Sequence, residues 1–135
     1  MVIAEDNEML RDTLGLALQE AGYEIVGAAE DGLSAVETVL REGPDVTVMD
    51  IRMPGIDGIE ATRRIRESRG SRTIILMLTA FDEPTLLQDA LDAGAAGFLV
   101  KGIPLARLVE EIRHAHVLRT WDPAEDGVEH RHPPA

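Results

Sequence analysis

Three carboxylates, a hydroxyl and an ammonium stand at matching places in this chain, each just past a short apolar run. Asp50 follows Val46-Thr47-Val48-Met49 and opens the turn Ile51-Arg52-Met53-Pro54-Gly55-Ile56-Asp57-Gly58. Glu5-Asp6 follow Val2-Ile3-Ala4, Thr79 follows Ile74-Ile75-Leu76-Met77-Leu78, and Lys101 follows Phe98-Leu99-Val100. An unpaired carboxylate in a dry interior is expensive or gives up its charge. Asp50 must therefore face an opening, a cation or a partner.

If these groups converge, their chemistry is restricted. Glu5, Asp6 and Asp50 would repel one another unless a cation sits among them. An all-oxygen set of carboxylates, a carbonyl and waters suits a hard ion such as Mg²⁺. An aspartate can also act as a nucleophile and take up a phosphoryl group as an acyl phosphate. The metal and Lys101 would then neutralise the transferring oxygens, with the Thr79 hydroxyl donating to one of them. Taken singly, each residue has an ordinary reading. Glu5-Asp6 suit a helix N-terminus, Thr79 suits a strand, and Lys101 suits a snorkelling surface position. Their shared placement carries the chemical reading.

Alternating elements must position them. The apolar runs predict strands over 2–4, 24–29, 46–49, 73–78 and 96–100, rich in Val and Ile and apolar on both sides, as parallel strands covered on both faces are. The first is short and is expected to pair weakly. Between the runs, apolar residues recur at helical spacing. Met9, Leu10, Thr13, Leu14, Ala17, Leu18 and Ala21 mark the first helix, with Asn7 as N-cap and Gly22 at its end. Val36, Val39 and Leu40 mark the second, closed by Gly43-Pro44. Ile59, Thr62 and Ile65 mark the third. Leu86, Leu87, Ala90 and Leu91 mark the fourth, started by Pro84. Leu105, Leu108, Val109 and Ile112 mark the fifth. Five strand–helix repeats imply a parallel sheet with right-handed crossovers and helices on both faces. Ligands of such sheets bind at the carboxyl ends of the strands, where all the candidate residues fall. From Arg119 the pattern stops, and residues 119–135 read as a linker or frayed tail.

Composition bounds the rest. The 135 residues fit one domain. Aromatics are only 3%, so aliphatic residues must fill the core. A formal charge of −12 argues against this segment wrapping nucleic acid or docking on an anionic membrane. The absence of cysteine excludes disulfides and thiolate chemistry. The amino-terminal run has no basic start and turns acidic at once, unlike a signal peptide, so a soluble cytoplasmic protein is expected.

The motifs Ala4-Glu5-Asp6, Met49 to Gly58, Leu78-Thr79-Ala80 and Gly94 to Lys101 together resemble the receiver domain of bacterial two-component response regulators. The likeness covers residues 1–118, and its wording is most similar to the NarL/FixJ (LuxR-type) subgroup. It implies a flavodoxin-like (CheY-like) doubly wound α/β fold with five parallel strands in the order 2-1-3-4-5 and five helices. It implies that Asp50 is the phosphoacceptor for a sensor histidine kinase. Asp6 would bind Mg²⁺ directly, Glu5 mainly through water, and Asp50 and the Arg52 backbone carbonyl would complete the set. Thr79 and Lys101 would hold the phosphoryl group, and Phe98 would be the aromatic switch that follows Thr79. Arg52 and Phe81 would flank the site. Glu5 stands where the family more often has Asp, which lengthens one ligand arm. In this subgroup phosphorylation leads to a homodimer and controls DNA binding by a C-terminal helix-turn-helix domain, which residues 119–135 do not supply. A stand-alone receiver acting on a protein partner is the alternative.

Two other classes fit less well. Aspartate-based phosphohydrolases carry a second acid two residues after the nucleophile, where this chain has Arg52. A flavin or nucleotide binder needs a glycine-rich phosphate loop after the first strand, where Glu5-Asp6-Asn7-Glu8 would repel phosphate. For the dimer face the sequence leaves two choices: the first and last helices, or the fourth helix with the last strand and helix. Met9, Leu16 and Leu105 are candidates for an apolar patch there.

Overall fold

The structure, a computed structural model, describes residues 1–68, 71–80 and 84–120. Strand and helix alternate throughout: β1 (Val2–Ala4), α1 (Glu8–Glu20), β2 (Gly27–Ala29), α2 (Gly32–Glu42), β3 (Val46–Asp50), α3 (Gly58–Glu67), β4 (Ile74–Thr79), α4 (Pro84–Ala93), β5 (Gly97–Val100) and α5 (Leu105–Thr120). All strand pairs are parallel and the order is β2-β1-β3-β4-β5. That is the CheY-like, flavodoxin-like arrangement the motifs imply.

Alternation along the strands divides the core in two. Val2, Ala4, Met49, Ile75 and Met77 face a layer with Val39 of α2, Ile65 of α3 and Ala90 of α4. Ile3, Val46, Val48, Leu76, Leu78 and Leu99 face the other layer, with Leu14 and Leu18 of α1 and Leu108 and Ile112 of α5. Each fully buried Leu or Ile among these contributes about 1.5–3 kcal/mol relative to exposure. The helices start where side chains can cap them. Asn7, Asp31 and Asp57 accept from the backbone N–H three residues on, at 3.0, 2.8 and 2.8 Å.

The structure corrects several sequence expectations. β1 is not weakly paired: it lies between β2 and β3, and Val2, Ile3 and Ala4 are buried. β2 is shorter than 24–29, and the chain before it bonds to the start of β1 instead, through Val26 N–H to the Met1 carbonyl at 2.9 Å. β3 and β4 each run one residue further than expected, taking in Asp50 and Thr79. Four residues assigned to apolar helix stripes are open to solvent: Met9, Thr13, Leu40 and Leu91. Ridges facing a flat sheet are narrow, so residues at the stripe's margin stay wet. α5 continues to Thr120, two residues into the segment read as tail. The rest of that segment, and Phe81, lie outside the described residues. Leu16 is exposed like Met9, whereas Leu105 is half-buried against the core.

The turn after β3 is shaped by one glycine. Gly58 N–H donates to the Ile51 carbonyl at 2.7 Å and closes the loop. A Cβ at Gly58 would collide with the Asp50 carbonyl and meet Met77 Cε at 2.8 Å. Because the obstacle includes backbone, it cannot move aside cheaply. Gly58→Ala is expected to cost about 3 kcal/mol, read as a lowered urea midpoint, and to displace the strand end that carries Asp50.

Candidate functional site

The strand register assembles the site. Ala4 is opposite Met49, Asp50 is opposite Leu78, and Thr79 is opposite Val100. Glu5, Asp50, Thr79 and Lys101 therefore fall on successive rungs at one end of the sheet. Glu5 and Asp50 are buried there, and Asp6 is exposed beside them. One carboxylate oxygen of each lies within 4.8 Å of those of the other two. Lys101 Nζ donates to Asp50 Oδ2 at 2.7 Å and forms an ion pair with Glu5 Oε1 at 3.0 Å. The other Asp50 oxygen, Oδ1, accepts from Arg52 N–H at 3.3 Å.

One lysine among three acids leaves the cluster short of positive charge. Asn7 N–H donates to Glu5 Oε2 at 3.0 Å. Glu5 Oε1 lies 3.0 Å from the Lys101 ammonium, an ion-pair contact with no donor aligned on it as a hydrogen bond. The Glu5 carboxyl is pushed up to about 7, by burial first, then by hydrogen bonding with Asp6 and Asp50. The Asn7 N–H and Lys101 pull the other way without prevailing. Asp6 is held below the usual range, chiefly because it accepts that shared hydrogen bond. Burial works to lower Lys101, but its carboxylate partners Asp50 and Glu5 outweigh this and raise it. The donor set fits a hard divalent cation: three carboxylates, two of them buried, each bring an oxygen within 4.8 Å of the others, with the Lys101 ammonium paired with the two buried ones.

A raised carboxyl makes folding pH-dependent. Unfolded Glu titrates near 4.3, so between about pH 4.5 and 7 the folded state binds the extra proton. Stability must then fall as pH rises through that window. The metal-free protein is expected to lose about 2 kcal/mol across it, seen as a falling melting temperature. Glu5→Gln should flatten that slope.

Thr79 ends β4 with its hydroxyl donating to the Ala80 carbonyl at 3.0 Å, so it is held at the strand end and is not bonded to the acids. Phe98 is half-buried, opposite Met77 on β5, in the same core layer as Met77. Thr79 is two residues beyond Met77, so it and Phe98 share a sheet face on neighbouring strands. A cavity of about 430 Å³ opens beside the acids, lined by Asp6, Ile51, Arg52, Met53, Pro54, Asp57 and Leu86. The structure brings Glu5, Asp6, Asp50 and Lys101 together. The sequence reading missed Arg11 of α1, whose guanidinium donates to the Glu5 carbonyl at 2.7 Å. Only its position one helical turn past the N-cap could have signalled it.

A chain with this sheet order and this cluster has close counterparts. The description of the response regulator receiver domain matches residues 1–113, and the chain belongs to that family. It is 43% identical over 115 residues, 85% of this chain and 55% of the relative, to the transcriptional regulatory protein PdtaR of Mycobacterium tuberculosis. It is 42% identical over 112 residues, 82% of this chain and 55% of the relative, to the transcriptional regulatory protein DesR of Bacillus subtilis. Its fold matches the signal receiver domain of the putative response regulator NarL from Mycobacterium tuberculosis with a TM-score of 0.80 at 34% identity, covering 86% of this chain and 94% of that one. NarL- and LuxR-type regulators thus stand among its relatives. The chain spans about half the length of these curated relatives. Among the described residues no helix is long and apolar enough to cross a membrane.

Proposed function

We propose that Asp50 accepts a phosphoryl group from a phosphohistidine of a sensor histidine kinase, with Mg²⁺ as cofactor. The observation that carries this reading is the buried Asp50 carboxylate, bonded to Lys101 at 2.7 Å and within reach of two further acids. An Asp50 oxygen forms the new O–P bond, the N–P bond to the donor imidazole breaks, and the imidazole leaves with its electron pair. Asp6, Asp50 and the Arg52 carbonyl would ligate the ion, and Glu5 would hold its water. When bound, the ion would neutralise charge on the phosphoryl oxygens. Lys101 moves with the transferred group and keeps its charge on one phosphoryl oxygen. The Thr79 hydroxyl exchanges the Ala80 carbonyl for another, and Phe98 fills the space it leaves. The domain does no chemistry on a separate substrate beyond gaining and losing this group.

The output follows from two conformations biased by the phosphoryl group. Relatives about twice as long are named transcriptional regulatory proteins, which supports a role in transcription; the route proposed is a cytoplasmic homodimer acting through a C-terminal DNA-binding domain that residues 119–135 do not supply. Treatment with acetyl phosphate and Mg²⁺ tests the chemistry. A phosphoprotein stripped by neutral hydroxylamine, as acyl phosphates are, is expected. A hydroxylamine-stable product would count against it.

A further inference from the structure

Asp6 is the exposed member of the acidic cluster, so packing does little to aim it. What aims it is the backbone on either side. Glu5 N–H donates to the Ala29 carbonyl at 3.0 Å, which ties the peptide before Glu5 to β2. Asn7 caps α1 through Leu10 N–H at 3.0 Å, and Arg11 N–H donates to the Asn7 carbonyl at 2.9 Å, which ties the far end of the loop to the helix. The peptide between Glu5 and Asp6 lies past the last rung of β1, since the pairing with both neighbours ends at Ala4. Its carbonyl is instead held by Arg11 Nη1 at 2.7 Å, a charge-assisted hydrogen bond from a side chain six residues on.

We infer that Arg11 is a positioning residue for the metal loop: its guanidinium fixes the peptide plane that joins Glu5 to Asp6, and so the direction in which the Asp6 carboxylate meets the ion. The inference rests on the Mg²⁺ reading given above. Arg11 touches neither the ion nor the phosphoryl group, so it acts through Asp6. Freed from it, that peptide can rotate, and Asp6 swings with it while Glu5 remains anchored by Ala29 and by Asn7 N–H. A staple that served stability alone would shift melting without shifting metal affinity. Partners that orient a ligand do the reverse.

The test uses wild type, Arg11→Ala and Arg11→Lys. Calorimetric titration of the metal-free proteins with Mg²⁺ gives Kd, and the rate of phosphorylation by acetyl phosphate is followed against Mg²⁺ concentration. Arg11→Ala should raise the Mg²⁺ Kd about tenfold, leave the maximal rate at saturating Mg²⁺ within about twofold of wild type, and be partly rescued in Arg11→Lys. An unchanged Kd in Arg11→Ala, or a lost maximal rate with no shift in Mg²⁺ dependence, would overturn the inference. Should Arg11→Ala fail to fold, Arg11→Met, which keeps the apolar stem but cannot donate, decides: a raised Kd supports the assignment and a wild-type Kd refutes it. If wild type itself binds no Mg²⁺, the metal-site reading fails and this inference falls with it. Wild-type binding with unaltered variants fails the inference alone.

Discussion

Asp50→Asn is expected to lose Mg²⁺-dependent phosphorylation by acetyl phosphate by at least about a thousandfold, as loss of a nucleophile does. The amide keeps the shape of the side chain but offers no anionic oxygen to attack phosphorus. The variant should still fold, because the strand end is held by backbone bonds: Ile51 N–H to the Leu78 carbonyl at 3.2 Å and Gly58 N–H to the Ile51 carbonyl at 2.7 Å. Lys101 keeps Glu5 as a partner at 3.0 Å. Removing one of three acids should also weaken Mg²⁺ binding. The check is the phosphorylation rate alongside the far-ultraviolet circular dichroism spectrum. A folded variant that is phosphorylated at the wild-type rate would move the chemistry to another carboxylate, with Asp6 the nearest.

Lys101→Ala should slow phosphorylation about a hundredfold, the usual cost of one donor to a developing oxyanion. Its ammonium touches both buried acids, at 2.7 and 3.0 Å. The variant should also lose the response to phosphorylation, because the group that follows the phosphoryl oxygens from β5 is gone. Stability should change less than the catalytic rate. The Lys101 side chain is 34% exposed, and solvent screening keeps the loss to about 1 kcal/mol. With three acids and no internal cation, the variant should gain more melting temperature from Mg²⁺ than wild type does. A wild-type rate, or dimerisation on phosphodonor treatment that survives the substitution, would contradict this role.

Much of this site is legible from residue order because the fold stacks strand ends. Once Glu5, Asp50, Thr79 and Lys101 each follow an apolar run, a parallel sheet brings them to one edge. The strand bounds were less legible. A polar residue ends an apolar pattern, yet the hydrogen-bond ladder continues through it, which is why Asp50 and Thr79 belong to β3 and β4. Ile25 and Val26 have strand-forming side chains, but β2 pairs in register only from Gly27. Met9, Leu40 and Leu91 fit helical spacing and still lie outside the core, because spacing gives the angle of a face and not its width. Arg11 left no trace in the pattern, since its partner is a backbone carbonyl.

The most direct test of the central assignment is borohydride trapping of the protein treated with acetyl phosphate and Mg²⁺, followed by peptide mass mapping. An acyl phosphate at residue 50 is reduced to the homoserine alcohol, so the peptide carrying Met49 and Ile51 should contain homoserine in place of Asp50, only when Mg²⁺ is present. Reduction at a different carboxylate, or an unmodified Asp50 in a protein that has gained phosphate, would contradict the account.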